Sequence, residues 1–169
     1  MGDLDLHFAS EEQRGYIDSL KFTADGALIA WGLHPKHADI GWIKLASPLA
    51  PGRSVTIATP FRVKIPDGKF SRLGHTDQAY YITQWYPKPA VFDGDGWHAM
   101  PYLTSGEFHS EFGSFDVSIT LPSNYVVGAT GILQEQSERT WMDSLATVPY
   151  SETQRFYLDK QRSRLNAFP

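Results

Sequence analysis

The sequence predicts an all-β fold, an open, saddle-like β-sandwich followed by a short helical tail. Aromatic residues make up 14% of the chain, and aromatic and β-branched side chains suit a pleated, half-buried surface. Several short segments alternate apolar and polar residues, so that one face of each would meet a core. Clusters of Gly, Pro and Asp separate these segments at short intervals, whereas a doubly wound α/β sheet would need helices between its strands.

The first half of the chain contains a predicted hairpin and two further predicted strands. Tyr16–Phe22 and Ala27–Trp31 form the hairpin, joined through an Asp-Gly turn signal. Asp39–Ala46 is predicted to be a strand rather than a helix, because its apolar residues nearly alternate. Val55–Ile65 alternates strictly, and we expect Pro60 within it at a bulge or a sheet edge, since proline has no amide donor.

A second β block is predicted from Tyr80 onward. Tyr80–Tyr86 is rich in aromatic and β-branched residues, and Pro87 and Pro89 then stop ladder pairing. The predicted strand therefore carries Gln84 and Trp85 to its own end. The rest of the block consists of a predicted turn at Asp93–Gly96 and predicted strands at Phe115–Leu121 and Tyr125–Thr130.

These segments predict one core inside one β domain. After residue 131 the composition changes to Gln, Glu, Ser, Arg and Asp, so residues 1–133 are predicted to form the β domain and residues 134–169 a helical linker. A chain of 169 residues is long enough for one such core. The predicted core residues are Val55, Ile57, Phe61, Val63, Ile82, Val117, Ile119, Leu121 and Val127.

Two helices are predicted in the linker. Ser137 is expected to cap a short helix in which Trp141 and Leu145 share one face. A capping-box pattern that begins at Ser151 predicts a second, more polar helix.

Charge and composition exclude several function classes. The net charge is −4 and no Lys/Arg cluster is longer than two residues, so nucleic acid is not expected as a partner. No apolar run approaches the length of a membrane span, and the opening residues lack the features of a secretory signal. The absence of cysteine excludes disulfides and thiolate sites, which suits cytosol and bacterial periplasm alike.

Two segments of the second block combine into a composite motif. Gln84–Pro89 reads Gln-Trp-Tyr-Pro-Lys-Pro, and Gly106–Val117 reads Gly-Glu-Phe-His-Ser-Glu-Phe-Gly-Ser-Phe-Asp-Val. In these segments the chain resembles the N-terminal β domain of zinc aminopeptidases of the aminopeptidase N type, in particular their bacterial branch. Glu12–Ile17 and Thr59–Gly68 also resemble that branch, so the resemblance extends from about Asp5 to Leu133.

The resemblance implies that the parent protein is a zinc metallopeptidase whose catalytic domain follows in the same polypeptide. That chemistry needs a His-Glu-x-x-His helix for zinc and a third carboxylate ligand, and the sequence contains neither. The histidine pair His34 and His37 encloses a proline and lacks a glutamate, so it is a poor zinc helix. We therefore expect no catalytic residue, metal ligand or cofactor in this chain, and zinc only in the catalytic domain. By resemblance alone, further strands are expected before the first residue, and bacterial periplasm or cell envelope is favoured over cytoplasm.

Gln84 is the main candidate site residue. The resemblance implies that a Gln or Glu at this strand end reaches into the catalytic domain and helps to bind the free amine of the peptide. An amide carbonyl accepts a hydrogen bond from an ammonium group without the cost of burying an unpaired carboxylate. The alternative is an amide satisfied by neighbouring backbone. Trp85 is the second candidate for substrate contact.

A rival hypothesis is a stand-alone carbohydrate-binding β-sandwich. Its stacking surface would consist of aromatic residues that otherwise fill space between β layers: Trp85, Tyr86, Trp97, His98 and Tyr102. A separate hypothesis makes Glu107 and Glu111 an acid and base pair for glycoside cleavage, although solvated carboxylates are the simpler interpretation. Asp93–Gly96 offers oxygen ligands but lacks the later ligands of a calcium loop, which favours a plain turn.

Overall fold

The computed structural model describes residues 7–77, 79–103, 106, 109–149 and 151. The chain divides into two compact units, Met1–Phe115 and Asp116–Pro169. The described residues form eleven short strands and one helix. The strands are β1 (Tyr16–Asp18), β2 (Thr23–Ala24), β3 (Ala27–Leu28), β4 (Ala30–Leu33), β5 (Gly41–Lys44), β6 (Ile57–Ala58), β7 (Arg62–Lys64), β8 (Gly74–Thr76), β9 (Ala79–Tyr81), β10 (Val91–Asp93) and β11 (Gly96–His98), and the helix is α1 (Gln136–Ala146).

All named strand pairs are antiparallel. β3, β2 and β6 form a three-stranded sheet in that order, and the other sheets are the pairs β1–β7, β4–β5, β8–β9 and β10–β11. The predicted β-rich class with a short helix toward the C-terminus is thereby confirmed. The boundary predicted between residues 133 and 134 stays a prediction. No helix among the described residues combines the length and the apolar composition needed to cross a bilayer.

Turn chemistry determines the first hairpin. Ala24 pairs with Ala27, which leaves Asp25 and Gly26 as a two-residue turn with φ values of 47° and 83°. Positive φ at both positions is the requirement of a type I′ turn, and Asp-Gly meets it at low steric cost. The predicted Asp-Gly turn is confirmed. The predicted pairing of Tyr16–Phe22 with Ala27–Trp31 was wrong for the first residues of the hairpin. β1 pairs with β7 and not with the segment after the turn.

The β1–β7 ladder carries a polar cluster on its surface. Arg62 donates to the Tyr16 hydroxyl at 2.7 Å and forms a 2.9 Å ion pair with Asp18. The guanidinium also lies over the Tyr16 ring, 5.6 Å from its centroid. The charge of Asp18 raises the pKa of Arg62 above its ordinary value, with Tyr16 contributing in the same direction. This cluster joins residues 44 and 46 positions apart, and periodicity alone does not reveal such pairings.

The β4–β5 hairpin confirms the predicted strand at residues 39–46. Gly32 pairs with Trp42, and a Cβ at Gly32 would lie 2.8 Å from the Trp42 ring. The indole therefore covers the strand position that has no side chain of its own. His34 and Ile40 close the connecting loop with a 2.8 Å backbone hydrogen bond.

The predicted core was wrong in most of its members. Only Ala9 and Val91 are buried apolar residues in the described part of the chain. Four of the predicted core residues are half-buried, and five are exposed: Ile57, Ile82, Val117, Ile119 and Leu121. Strands of two to four residues in sheets of two or three strands cover little apolar area, since burial needs a second layer across the sheet face.

Two further strand predictions were wrong. Residues 115–121 and 125–130 lie outside helix and strand in the structure. Alternation makes a segment suitable for a sheet, but a ladder also needs a partner strand for its N–H and C=O groups. No backbone hydrogen bond from the described residues satisfies the 115–121 segment.

The helix α1 is found where a helix was predicted, but its cap differs from the prediction. Glu135 is the N-cap residue, and its carboxylate accepts from the hydroxyl of Ser137 at 2.7 Å and from the N–H of Ser137 at 3.2 Å. These two hydrogen bonds lower the pKa of Glu135. Ser137, the predicted cap, lies inside the first turn. The second predicted helix, after Ser151, lies outside the described residues.

Candidate functional site

The loop that follows β9 carries both predicted substrate-binding residues. β9 pairs with β8 over three residues only, from Ala79 opposite Thr76 to Tyr81 opposite Gly74. The predicted strand to Tyr86 was therefore too long, and Gln84 lies in the loop instead of at a strand end. Pairing stops because β8 offers no further partner residue, although the local sequence favours extension.

Gln84 has an unusual backbone conformation. Its φ is 50°, in the left-handed region, and its side chain is exposed. For an L-residue other than Asn, Asp or His this conformation is uncommon, because Cβ approaches the backbone carbonyl. Such strain persists only where surrounding structure enforces it, and it is concentrated at functional sites.

The Gln84 amide is not engaged by the neighbouring chain. Within the described residues, no hydrogen bond reaches this side chain, and no backbone hydrogen bond involves residues 82–87. The alternative of an amide satisfied by nearby backbone therefore has no support from this part of the chain. The side chain retains its carbonyl acceptor and its two N–H donors for a partner in solution.

A row of aromatic rings runs beside Gln84. Phe61 and Trp85 are in contact with ring centroids 5.6 Å apart, Trp85 and Tyr86 follow at 5.8 Å, and Tyr86 and Phe115 at 6.1 Å. Trp85 keeps 39% of its surface exposed. Each pair has the tilted or edge-to-face geometry that aromatic rings favour. Trp85 thus packs on one side and presents part of its ring to solvent next to Gln84.

A second cluster lies on the β10–β11 hairpin, where the predicted turn is confirmed. Asp93 pairs with Gly96, and the Asp93 carboxylate accepts from the N–H of Asp95 at 2.9 Å. Nε2 of His98 lies 2.8 Å from Oδ1 of Asp93, although its N–H is not aligned as in a regular hydrogen bond. The ring of His109 is 5.7 Å from that of His98. The contact with His98, followed by the N–H of Asp95, lowers the pKa of Asp93.

Sequence reasoning missed this carboxylate and imidazole pair, yet a signal for it exists. A two-residue turn places Asp93 opposite Gly96, and alternation then puts His98 on the same face, diagonal to Asp93. The other face of the hairpin carries Phe92 and Trp97, whose rings are 4.9 Å apart and which are 61% and 69% exposed. Polar contacts thus occupy one face and exposed aromatic rings the other.

The remaining predicted candidates are a pair of carboxylates and a pair of histidines. Glu107 lies outside the described residues, so the separation of Glu107 and Glu111 is not defined, and Glu111 itself is exposed. His34 and His37 stack with centroids 5.0 Å apart, and Nδ1 of His34 accepts from the N–H of Lys36. Across the described ranges, no three His, Asp or Glu side chains are arranged to hold a metal ion.

Comparisons of the chain with protein-family models, with curated proteins and with solved structures give no match. The resemblance in Gln84–Pro89 and Gly106–Val117 therefore stays a prediction from the sequence.

Proposed function

We propose that this chain is the non-catalytic N-terminal domain of a zinc aminopeptidase, which lies over one side of the active-site cleft and helps to bind the peptide N-terminus. The observation that carries the proposal is Gln84, an exposed amide on a left-handed residue inside the segment that resembles the family. Left-handed Gln is costly, and residues held in such conformations cluster at functional sites.

The chemistry of an amide suits this role. The Gln84 carbonyl accepts a hydrogen bond from the ammonium group of a peptide, while the catalytic domain of the same polypeptide supplies zinc, base and water. Because the side chain is exposed, binding does not require a buried group to be uncovered first. Trp85 is the second proposed contact, since its partly exposed ring adjoins Gln84.

We further propose that the complete domain is an open β-sandwich. The support is the exposed segment at residues 115–121, in which Val117, Ile119 and Leu121 form an apolar row along the sequence, at every second position. In the proposed domain, further strands pair with this segment and cover the row, because an apolar face of this kind is stabilised by a second layer.

The direct test is Gln84→Ala in the full-length protein. Loss of a hydrogen bond to a charged group costs about 1.5 to 3 kcal/mol, which lowers kcat/KM on aminoacyl anilides about ten- to a hundredfold. Gln84→Glu retains an acceptor and is expected to keep most of the activity. Thr83→Ala, an exposed neighbour, is the matched control and leaves kcat/KM unchanged.

Zinc content and the thermal unfolding transition of Gln84→Ala are expected to equal those of wild type. If kcat/KM stays within about twofold of wild type on several substrates, the assignment of Gln84 is wrong. If the variant loses its cooperative transition instead, Gln84 is a structural amide. The family hypothesis also predicts a His-Glu-x-x-His motif in the coding sequence downstream of residue 169.

We expect the chain alone to hydrolyse no aminoacyl anilide, because the zinc ligands and the general base belong to the catalytic domain. The measurement is anilide turnover by the purified 169-residue chain with added zinc. Hydrolysis that a chelator abolishes would contradict the proposal.

The exposed pair of Phe92 and Trp97 favours a second candidate function, a carbohydrate-binding module. Flat aromatic faces bind the apolar faces of sugars with little loss of conformational entropy. Oligosaccharide titrations followed by Trp fluorescence separate the candidates. Saturable quenching that Trp97→Ala abolishes supports the module, and an unchanged spectrum supports the peptidase domain.

A further inference from the structure

The left-handed conformation of Gln84 needs stabilising contacts, and the loop around it provides few hydrogen bonds. Among the described residues, no backbone hydrogen bond involves residues 82–87. Pro87 and Pro89 restrict the residues before them to extended backbone, so they stiffen the loop only beyond Trp85. The adjoining residue, Trp85, packs its ring on Phe61, with centroids 5.6 Å apart.

Phe61 is held from both sides. It lies in the three-residue linker between β6, which pairs with β2, and β7, which pairs with β1. Thr59 in the same linker accepts a 2.8 Å hydrogen bond from the N–H of Lys21 and donates to the carbonyl of Pro60 at 2.8 Å. Two ladders and these bonds therefore fix the linker, and the half-buried Phe61 ring is a stable platform for Trp85.

We propose that Phe61 is a positioning residue: its ring fixes Trp85 and so keeps the adjoining Gln84 in the left-handed conformation that presents the amide outward. The role in presenting the amide to a peptide amine rests on the proposed function. The role in imposing the conformation does not, because it concerns this chain alone. Phe61 therefore acts through Trp85 and contacts no substrate.

A double-mutant cycle on the chain tests the first part. Gln84→Gly removes the left-handed cost, since Gly adopts positive φ freely. In the wild-type background it should raise the folding equilibrium constant about fivefold in urea denaturation. In a Phe61→Leu background the loop relaxes, and the gain should fall below about twofold. Phe61→Tyr keeps the ring and should keep the gain.

Asp77→Gly is the matched control, because Asp77 also has a φ of 50° but lies in the β8–β9 turn. Its gain should be the same in the wild-type and Phe61→Leu backgrounds. Equal gains from Gln84→Gly in both backgrounds overturn the proposal. If Phe61→Leu loses its cooperative transition, Trp85→Leu removes the same ring contact from the other side and carries the same expectation.

A kinetic measurement in the full-length protein tests the second part. Phe61→Leu should raise KM for aminoacyl anilides with kcat nearly unchanged, and Phe61→Tyr should restore KM. A general structural defect would lower kcat and zinc content together, which overturns the positioning role. The two parts can also separate. If the double-mutant cycle shows that Phe61 and Gln84 interact, but KM is unchanged in both Phe61→Leu and Gln84→Ala, the amine-binding function is rejected. Phe61 then remains the residue that imposes the conformation.

Discussion

The turn at Asp25 and the loop at Gln84 both place a non-glycine residue in the left-handed region, with φ values of 47° and 50°. At Asp25 the cost is offset locally. Its carboxylate accepts from the N–H of Thr56 at 3.0 Å, and its own N–H donates to the Thr56 carbonyl at 2.9 Å. Gln84 has no such bond within the described residues. The comparison separates a left-handed residue held by hydrogen bonds within a hairpin from one without such bonds in the described chain.

The largest expected effect on stability is at the Asp25 turn. Asp25→Ala removes the acceptor for Thr56 and puts a Cβ residue without local hydrogen bonding in the left-handed region, so we expect a destabilisation of about 1 to 2 kcal/mol in urea denaturation. Asp25→Asn retains an acceptor and tolerates this conformation, and it should cost much less. Equal losses in both variants would show that the Thr56 bond does not offset the strain.

A substitution at Gln84 is expected to change stability in the opposite direction. Gln84→Gly should stabilise the chain by about 1 kcal/mol, because it relieves strain and breaks no described bond. Asp25→Gly should not stabilise, since it loses the bond to Thr56. Urea denaturation of the two glycine variants measures both effects. Destabilisation by Gln84→Gly would mean that the amide side chain itself stabilises the fold.

The two turns could be predicted from the sequence, but the strand pairing and the conformation of Gln84 could not. Asp25 with Gly26 and the turn after Asp93 were predicted because turn residues encode their own geometry. The pairing of β1 with β7 was not predicted, because partner choice over such separations depends on the whole chain. The left-handed conformation of Gln84 has no local signal either, since nothing in the Gln-Trp-Tyr-Pro sequence requires positive φ.

At the candidate site, too, the sequence predicted the residues but not their geometry. The resemblance identified Gln84 and Trp85 as candidate substrate-binding residues, but the strand expected to carry them ends at Tyr81. The ring contact with Phe61 joins positions far apart in sequence and emerges only from the fold. Alternation at residues 115–121 predicted a strand with a buried face, and both parts were wrong. Alternation specifies neither the partner strand nor the layer that would cover the apolar residues.

A smaller effect is expected at the Asp93 turn, which extends the comparison to a second turn held by polar contacts. The pKa of Asp93 is lowered in the folded chain, chiefly by His98, so the charged carboxylate stabilises the hairpin. This contribution is present above about pH 4 and is lost as the pH falls through the lowered pKa. Carboxyl NMR should give a titration midpoint for Asp93 below that of an ordinary aspartate, and His98→Ala should raise it. An unchanged midpoint in that variant would contradict the contact.

The smallest effect is expected at the cap of α1. Glu135→Ala removes the acceptor for the N–H and hydroxyl of Ser137, so the first turn frays and helical circular dichroism at 222 nm falls slightly. Glu135→Asn is the matched control, because Asn is a strong N-cap residue and should retain the signal. Loss of signal in both variants to the same extent would show that capping at this position does not sustain the helix.

The central claim is that the strained Gln84 recognises the amine of a peptide, and ligand discrimination tests it most directly. The measurement compares leucine hydroxamate with 4-methylpentanohydroxamate, which lacks the amine, as inhibitors of the full-length wild type and of Gln84→Gly. We predict that the variant is more stable yet loses about ten- to a hundredfold of the preference for the amine, with binding of the amine-free compound unchanged. An undiminished preference in the stabilised variant would contradict the account.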